Sequence, residues 1–247
     1  MYGGILMYAD AILLLCSSIV KLQKMVDICV SFGIEMGVTF SMLKSSCIAI
    51  YPGKILLPTS SIQLYGNSLN WSNKLRYLGI FITNNSKNLF DLNEQVGKFY
   101  AAIYSVISNC GNNKELVALE ILKLKCAPIL FYALDAVSVN NKVRDIISKA
   151  WNASIRLIFN INRRESTRHL LYHCDLFSAS FKIDLLQLSL LASQVNSPNR
   201  LIHACVNVLK YDYNMRSLMF KYNVSYNTNV MNIKSSVWDK FCGHCNL

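Results

Sequence analysis

The sequence lacks the short motifs that mark the commonest enzyme classes. It has no Gly-rich phosphate-binding loop, no Gly-x-Ser-x-Gly nucleophile elbow and no His-Glu-x-x-His metal motif, which removes the usual hydrolase and nucleotide-binding interpretations. Internal repeats and dense basic runs are also absent. Acidic residues are few, 14 against 25 basic ones, so the net charge is +11. This charge favours an anionic partner such as nucleic acid, although scattered lysines also fit a solvated surface.

The apolar run over residues 5–20 invites a membrane interpretation that its details do not favour. The run is shorter than the roughly 20 residues of a spanning helix, contains Asp10 and has no basic leader. We therefore expect neither a signal peptide nor a membrane anchor. The nine cysteines are mostly isolated within apolar stretches, which is typical of buried free thiols. This usage predicts a reducing, intracellular compartment, nuclear or cytoplasmic.

Tyr8-Ala9-Asp10-Ala11 lies between two short apolar runs, residues 4–7 and 12–15. Asp is disfavoured in strands and costly to bury, so an acid in this position belongs at the exposed tip of a β-hairpin. A carboxylate displayed there could hold a divalent cation. The sequence thus predicts a hairpin with a candidate metal ligand at its turn.

Strand and helix signals alternate after the hairpin. Ser17 and Ser18 can cap a helix that begins at Ile19 and is ended by Gly33 and Gly37. Residues 47–51 read as a strand that returns beside the hairpin, closed by a Pro-Gly turn. Further strands are predicted over residues 62–65, 69–71 and 75–83, with a turn at residues 66–67.

From about residue 89 the pattern becomes helical. Helices are predicted from that point and over residues 114–139, bent or broken at Pro128, then 142–159 and 178–194. The stretch 211–247 is rich in Asn, Tyr and Ser without clear periodicity, which predicts loose order. The expected fold class is α+β, with a sheet-containing domain at 1–84, a helical region at 85–210 and a loosely ordered tail at 211–247.

Three motifs in this order resemble the C-terminal half of a non-LTR, or LINE-type, retrotransposon reverse transcriptase. Residues 7–15 are similar to the family's Tyr-Ala-Asp-Asp hairpin, except that Ala11 replaces the second Asp. The fourth motif, Gly-x-x-Phe-x-x-x-Lys-Ser, matches residues 37–45, and the fifth, the primer grip, matches Tyr77-Leu78-Gly79-Ile80. Downstream segments resemble thumb helices as far as about residue 162. The resemblance implies the end of a polymerase palm followed by an all-helical thumb and connection region.

The resemblance also implies roles for individual residues. Asp10 corresponds to the first Asp of the catalytic pair and would bind Mg²⁺, Tyr8 would lie under the primer end, and Lys44 would protonate pyrophosphate. Tyr77, Leu78 and Gly79 would support the primer backbone. Each residue also has an ordinary structural interpretation: a packed strand tyrosine, a solvated turn lysine, or a strand paired against the palm.

Polymerisation needs several carboxylates around two metal ions. The family draws one Asp from a strand upstream of the hairpin and binds the nucleotide with fingers residues still further upstream, and we expect this chain to begin too late to contain them. Asp10 alone would hold magnesium weakly, because Mg²⁺ keeps its waters unless several oxygens replace them. We therefore expect a catalytically incomplete RNA-directed DNA polymerase fragment, without tight Mg²⁺ binding or a small-molecule cofactor.

Basic residues in the helical region are candidates for contact with the backbone of an RNA/DNA duplex. The densest cluster is Arg163, Arg164 and Arg168. Other candidates are the thumb residues Lys98, Lys114, Lys123, Lys125, Arg144, Lys149 and Arg156. Evenly spaced lysines on helices also fit a solvated face.

A zinc site can be drawn from Cys242 and Cys245 with His169 and His173, but nothing in the spacing says that the two halves meet. Two alternatives to a polymerase fragment stay open. One is a sequence-independent nucleic-acid-binding remnant without enzymatic activity. The other is a translated remnant with no selected function, in which an uncovered sheet edge and apolar face favour aggregation.

Overall fold

The computed structural model describes residues 3–50, 60–85, 90–110, 115–209 and 212–245. It separates into two compact units, Met1–Leu92 and Asn93–Leu247. The described part of unit 1 combines one helix with small antiparallel sheets, and that of unit 2 is helical, so the protein is α+β. The division falls at Leu92 rather than at residue 84, because Phe90 and Asp91 pair with a strand of unit 1.

The described residues of unit 1 form three separate sheets. Its elements are β1 (Gly4–Tyr8), β2 (Ala11–Leu15), α1 (Ile19–Glu35), β3 (Ile62–Leu64), β4 (Asn67–Leu69), β5 (Lys74–Tyr77), β6 (Ile80–Thr83) and β7 (Phe90–Asp91). The strands pair antiparallel as β1–β2, β3–β4 and β5–β6–β7. The apolar run over residues 5–20 therefore forms the first hairpin and the start of α1. Among the described residues, no helix is both long enough and apolar enough to cross a bilayer.

Helix α1 continues past Gly33, the first of the two glycines that were predicted to end it, and stops before the second, Gly37. Only glycine has room at position 33, because a Cβ there would come within 2.8 Å of the Val38 carbonyl oxygen and 3.1 Å of the Phe40 ring. The end lies two residues later, in a Schellman motif. Gly37 adopts φ 68°, and the Val38 N–H donates to the Gly33 carbonyl at 2.7 Å. Gly37 thus supplies the positive φ that ends the helix.

The core of unit 1 joins α1 to the β3–β4 hairpin. Its buried members are Val26, Ile62, Leu64 and Leu69. A polar contact reinforces the same junction: the Gln23 side-chain amide donates to the Gln63 carbonyl at 2.9 Å and accepts from the Gln63 N–H at 2.7 Å. The Gln23 side chain therefore satisfies the backbone of an edge strand as a neighbouring strand would.

Two strand predictions in unit 1 are wrong. Residues 47–50 form no strand, because Cys47 alone pairs, in a single parallel bridge with Trp71; residues 51–53 lie outside the described part of the chain. No strand therefore returns beside the β1–β2 hairpin among the described residues. The strand predicted over residues 75–83 is a hairpin instead, since Leu78 and Gly79 take positive φ values and reverse the chain.

The described part of unit 2 is built from helices. Its elements are α2 (Asn93–Cys110), α3 (Glu115–Ile121), a π-helical turn (Leu122–Cys126), α4 (Ala127–Phe131), α5 (Asn141–Ile158), α6 (Arg168–His173), α7 (Ala179–Val195), α8 (Arg200–Leu209), α9 (Tyr213–Tyr222) and α10 (Val230–Cys245). The core consists of fully buried apolar side chains from several helices. It includes Phe99, Ile103, Leu122, Leu130, Ile147, Ile155 and Ile183.

The regular α-helix is interrupted just before Pro128, where the sequence predicted a bend or break. Proline has no N–H and its ring clashes with the carbonyl four residues back, so a regular α-helix cannot continue through it. Just before Pro128 the helix widens, and the Ala127 N–H donates to Leu122, five residues back. The helix then ends at Phe131 rather than at residue 139.

The prediction of a loosely ordered tail over residues 211–247 is also wrong, because α9 and α10 form there. Helix α10 packs along α7 and buries Ile233, Val237, Phe241 and Cys245, which recur every four residues. This stripe is a helical pattern that the polar composition around it obscures. The Asp212 carboxylate caps α9 by accepting from the Asn214 N–H at 2.8 Å.

Candidate functional site

The first candidate site is the tip of the β1–β2 hairpin. Tyr8 pairs with Ala11, so Ala9 and Asp10 form a two-residue turn, with Ala9 at φ 51°. Asp10 is exposed, which confirms the sequence prediction of an acid at a hairpin tip. Neither its carboxylate nor the Tyr8 hydroxyl has a hydrogen-bond partner among the described residues.

The carboxylate of Asp10 stands alone at this tip. The described residues contain no group of three or more His, Cys, Asp or Glu side chains that could hold a metal ion. Ala11 presents a methyl group where a second carboxylate would extend the site. Lys44 is exposed in the turn after α1, and its ammonium group has no ion-pair or hydrogen-bond partner in the described chain, Asp10 included. The structure therefore shows no bond that joins these two predicted catalytic residues.

The segment predicted as a primer grip forms the β5–β6 turn. Tyr77 pairs with Ile80, and the two residues between them, Leu78 and Gly79, have φ values of 46° and 82°. Two positive φ values are typical of a type I′ turn, which favours Asn-Gly. A leucine in the left-handed region is strained, and Leu78 is 41% exposed as a whole residue. Strain of this kind, on an exposed apolar side chain, is a reason to suspect function.

Two of the predicted nucleic-acid-binding lysines are paired within the protein. Lys98 Nζ lies 2.6 Å from Glu94 Oε1, and Lys123 Nζ lies 2.8 Å from Glu120 Oε1. Each partner is three or four residues earlier in the chain. Lys125 is exposed and has no such partner among the described residues. Lys114 lies outside the described part of the chain. Pairing leaves little net charge at Lys98 and Lys123 for a phosphate to sense.

The second candidate site is the loop between α5 and α6, here called the arginine loop (residues 159–167). The Arg156 guanidinium donates to the Glu165 carbonyl from Nε at 3.2 Å and from Nη2 at 2.9 Å. The Asn162 side chain accepts from the Arg164 N–H at 3.0 Å. These bonds fix the backbone of the loop. Arg163 and Arg164 extend from it, exposed and without an acidic partner among the described residues.

Arg168 follows the arginine loop at the start of α6. It is exposed, and its guanidinium donates to the His244 carbonyl on α10 at 3.2 Å. This bond occupies one nitrogen, and no acidic partner for the charge is found in the part of the chain that the structure describes. Arg156, by contrast, holds the loop together, so we assign it a structural role and not the phosphate contact that the sequence suggested.

A buried carboxylate that sequence reasoning missed lies in unit 2. Asp184 accepts hydrogen bonds from Arg144 Nη1 at 2.6 Å, Lys221 Nζ at 2.7 Å and Tyr222 Oη at 2.6 Å. Burial and the bond to Asp184 raise the pKa of the Tyr222 hydroxyl. Arg144 was a candidate for phosphate contact, but it is committed to this network. An acid inside the apolar run Ile183-Asp184-Leu185-Leu186 was the available signal.

The four candidate zinc ligands lie on α6 and α10. These two helices pack against each other, but they form no zinc site. Tyr172 on α6 stacks on Trp238 of α10 with ring centroids 6.0 Å apart. No three-ligand group is nevertheless found in the described residues. All nine cysteines are free, and burial raises the pKa of the Cys126 and Cys245 thiols, which makes them less reactive.

Comparisons of the chain with models of known protein families, with curated protein sequences and with solved structures gave no match. The resemblance to reverse transcriptases therefore depends on the ordered motifs in the sequence. The family and the activity that it implies are proposals.

Proposed function

We propose that this chain is the palm end and thumb of a non-LTR retrotransposon reverse transcriptase, and that it binds the backbone of an RNA/DNA duplex without polymerising. The ordered motifs support the family. The observation that carries the binding function is the arginine loop, which holds two unpaired guanidinium groups on a fixed backbone. A net charge of +11 provides long-range attraction to the same class of ligand.

The arginine loop suits phosphate for three reasons. Guanidinium binds phosphate with two parallel hydrogen bonds, so arginine is favoured over lysine for this task. The loop backbone is held in place before binding by the Arg156 bonds to Glu165, so little ordering is required. Contacts to phosphate carry no base information, so binding is expected to ignore sequence. The primer-grip turn, with its strained and exposed Leu78, is a second point of contact in this proposal.

The geometry of the hairpin tip supports the part of the proposal which states that the chain does not polymerise. Two-metal phosphoryl transfer needs several convergent carboxylates, whereas the tip offers Asp10 beside the methyl group of Ala11. Restoring the family pattern with Ala11→Asp would give the tip two carboxylates, and the described residues hold no group of three or more His, Cys, Asp or Glu side chains that could complete a metal site. Neither the natural chain nor this variant is therefore expected to extend a primer on an RNA template with Mg²⁺. Extension by the natural chain would contradict the proposal.

Binding is tested by fluorescence anisotropy with labelled RNA/DNA hybrids of unrelated sequences, over a series of salt concentrations. Arg163→Gln/Arg164→Gln should weaken binding at least about tenfold and reduce the slope of log K against log salt by about 2. The matched control, Lys98→Gln/Lys123→Gln, removes the same formal charge from residues that are already ion-paired. It should have a much smaller effect. Equal losses in both variants, or strong sequence preference, would contradict the assignment to the arginine loop.

A further inference from the structure

Strand β1 presents an uncovered edge of unusual composition. It pairs with β2 on one side, and no described residue pairs with it on the other. Its residues Ile5, Leu6, Met7 and Tyr8 are 44–67% exposed. The strand contains no charge, no proline and no bulge, the devices by which proteins usually block the pairing of edge strands. Its outer edge is therefore a template for another extended segment.

The register of the hairpin fixes which backbone groups point outward. The two-residue turn is closed by the pair Tyr8 and Ala11, so Tyr8 directs its hydrogen-bonding groups at β2. The direction alternates along the strand, so Leu6 and Gly4 also face β2, whereas Ile5 and Met7 direct their N–H and C=O groups outward. An incoming strand must meet Ile5 and Met7.

The residues of β1 can pair antiparallel with β1 of a second copy. When two copies pair about a two-fold axis at Leu6, Ile5 of one lies opposite Met7 of the other, which joins outward-pointing groups on both strands. Gly4 then lies opposite Tyr8, so the smallest residue of the strand leaves room for the largest. We propose that this chain forms a two-fold dimer by antiparallel pairing of β1 with β1 of a second copy, centred on Leu6.

The available surface sets the strength of this pairing. The exposed parts of Ile5 to Tyr8 and of Leu15 amount to roughly 550 Å² per copy, at about 200 Å² for each large apolar side chain. Two copies would bury at most about 1,100 Å², which is at the low end of specific interfaces. The dimer is therefore weak, with a dissociation constant in the micromolar range. It does not depend on nucleic-acid binding and responds oppositely to salt, because screening reduces the repulsion between two copies of net charge +11.

The test is sedimentation velocity of the full chain from about 1 µM to about 200 µM, a range that brackets a micromolar dissociation constant. The natural chain should shift from monomer to dimer with concentration. Leu6→Lys places two ammonium groups opposite each other on the two-fold axis and should abolish the dimer. The matched control Ile28→Lys adds the same charge at an exposed apolar residue of α1 and should leave dimerisation unchanged.

A charge swap then tests the register itself. Leu6→Lys and Leu6→Glu should each be monomeric, and an equal mixture of the two should dimerise, because opposite charges then face each other on the axis. Recovery in the mixture also shows that both variants are folded. A natural chain that stays monomeric or forms species larger than a dimer would overturn the proposal. An Ile28→Lys variant as monomeric as Leu6→Lys, or a mixture that stays monomeric, would also overturn it.

Discussion

The buried carboxylate of Asp184 gives the sharpest prediction about the stability of unit 2. Asp184 lies on α7, and its three partners come from α5 and α9. It is 1% exposed, and it is the buried acidic residue among those described. Asp184→Asn keeps the size of the side chain, removes its charge and leaves at least one of the three donors without an acceptor. We therefore expect the attachment of α9 to α7 to weaken.

The magnitude follows from the exposure of each partner. Breaking a buried ion pair by removing one member costs about 3–5 kcal/mol. The Lys221 side chain is 49% exposed, so its share is that of a surface pair, below about 1 kcal/mol. Arg144 is less exposed, and Tyr222 is buried and donates a bond of the charge-assisted kind, worth about 1.5–3 kcal/mol. Because Asn retains one acceptor oxygen, we expect a loss near 3 kcal/mol.

Urea unfolding followed by far-UV circular dichroism measures this loss, since most of the described helices belong to unit 2. The control Glu120→Gln makes the same acid-to-amide change in an exposed pair and should cost less than about 0.5 kcal/mol. A double-mutant cycle of Asp184→Asn with Tyr222→Phe should give a coupling energy of about 1–2 kcal/mol. A loss no greater than that of the control, or a coupling energy near zero, would refute the reasoning.

Two further predictions concern a turn and a titration. Leu78→Asn should stabilise the β5–β6 hairpin by about 1 kcal/mol, because Asn accepts a positive φ more readily than Leu; a lower melting temperature than the natural chain would contradict this. The raised pKa of Tyr222 means that the folded state keeps a proton that the unfolded state loses above about pH 10. Stability should therefore fall as pH rises beyond 10, by up to about 1.4 kcal/mol per pH unit, and Tyr222→Phe should remove that component of the slope in urea titrations. An unchanged slope in the variant would show that Tyr222 ionises normally.

Local patterns predicted the elements that depend on neighbouring residues. The polar break between two apolar runs predicted the β1–β2 hairpin with Asp10 at its tip. Apolar residues at helical spacing predicted α1 and α2, and α5 and α7 were predicted to within a few residues of their boundaries. These features are encoded within a few turns of chain, so a single sequence reveals them.

Helices α9 and α10 were not predicted from local sequence patterns. The polar composition of residues 211–247 predicted loose order, yet Val237 and Phe241 are fully buried on α10, which packs on α7. Their order comes from burying an apolar stripe against another helix. Tertiary packing of this kind supplies most of the stability of a helix in a protein.

Residue types along the chain were enough to define its candidate chemistry: one carboxylate at a hairpin tip, an alanine where the resemblance implies a second, and an arginine pair after α5. Which charges are available for a ligand depends on the folded chain. Arg144 is committed to Asp184, 40 residues away, and Arg156 to the loop, whereas Arg163 and Arg164 remain exposed. Residue type fixes what a side chain can do, but its partners come from distant segments that only the folded chain brings together.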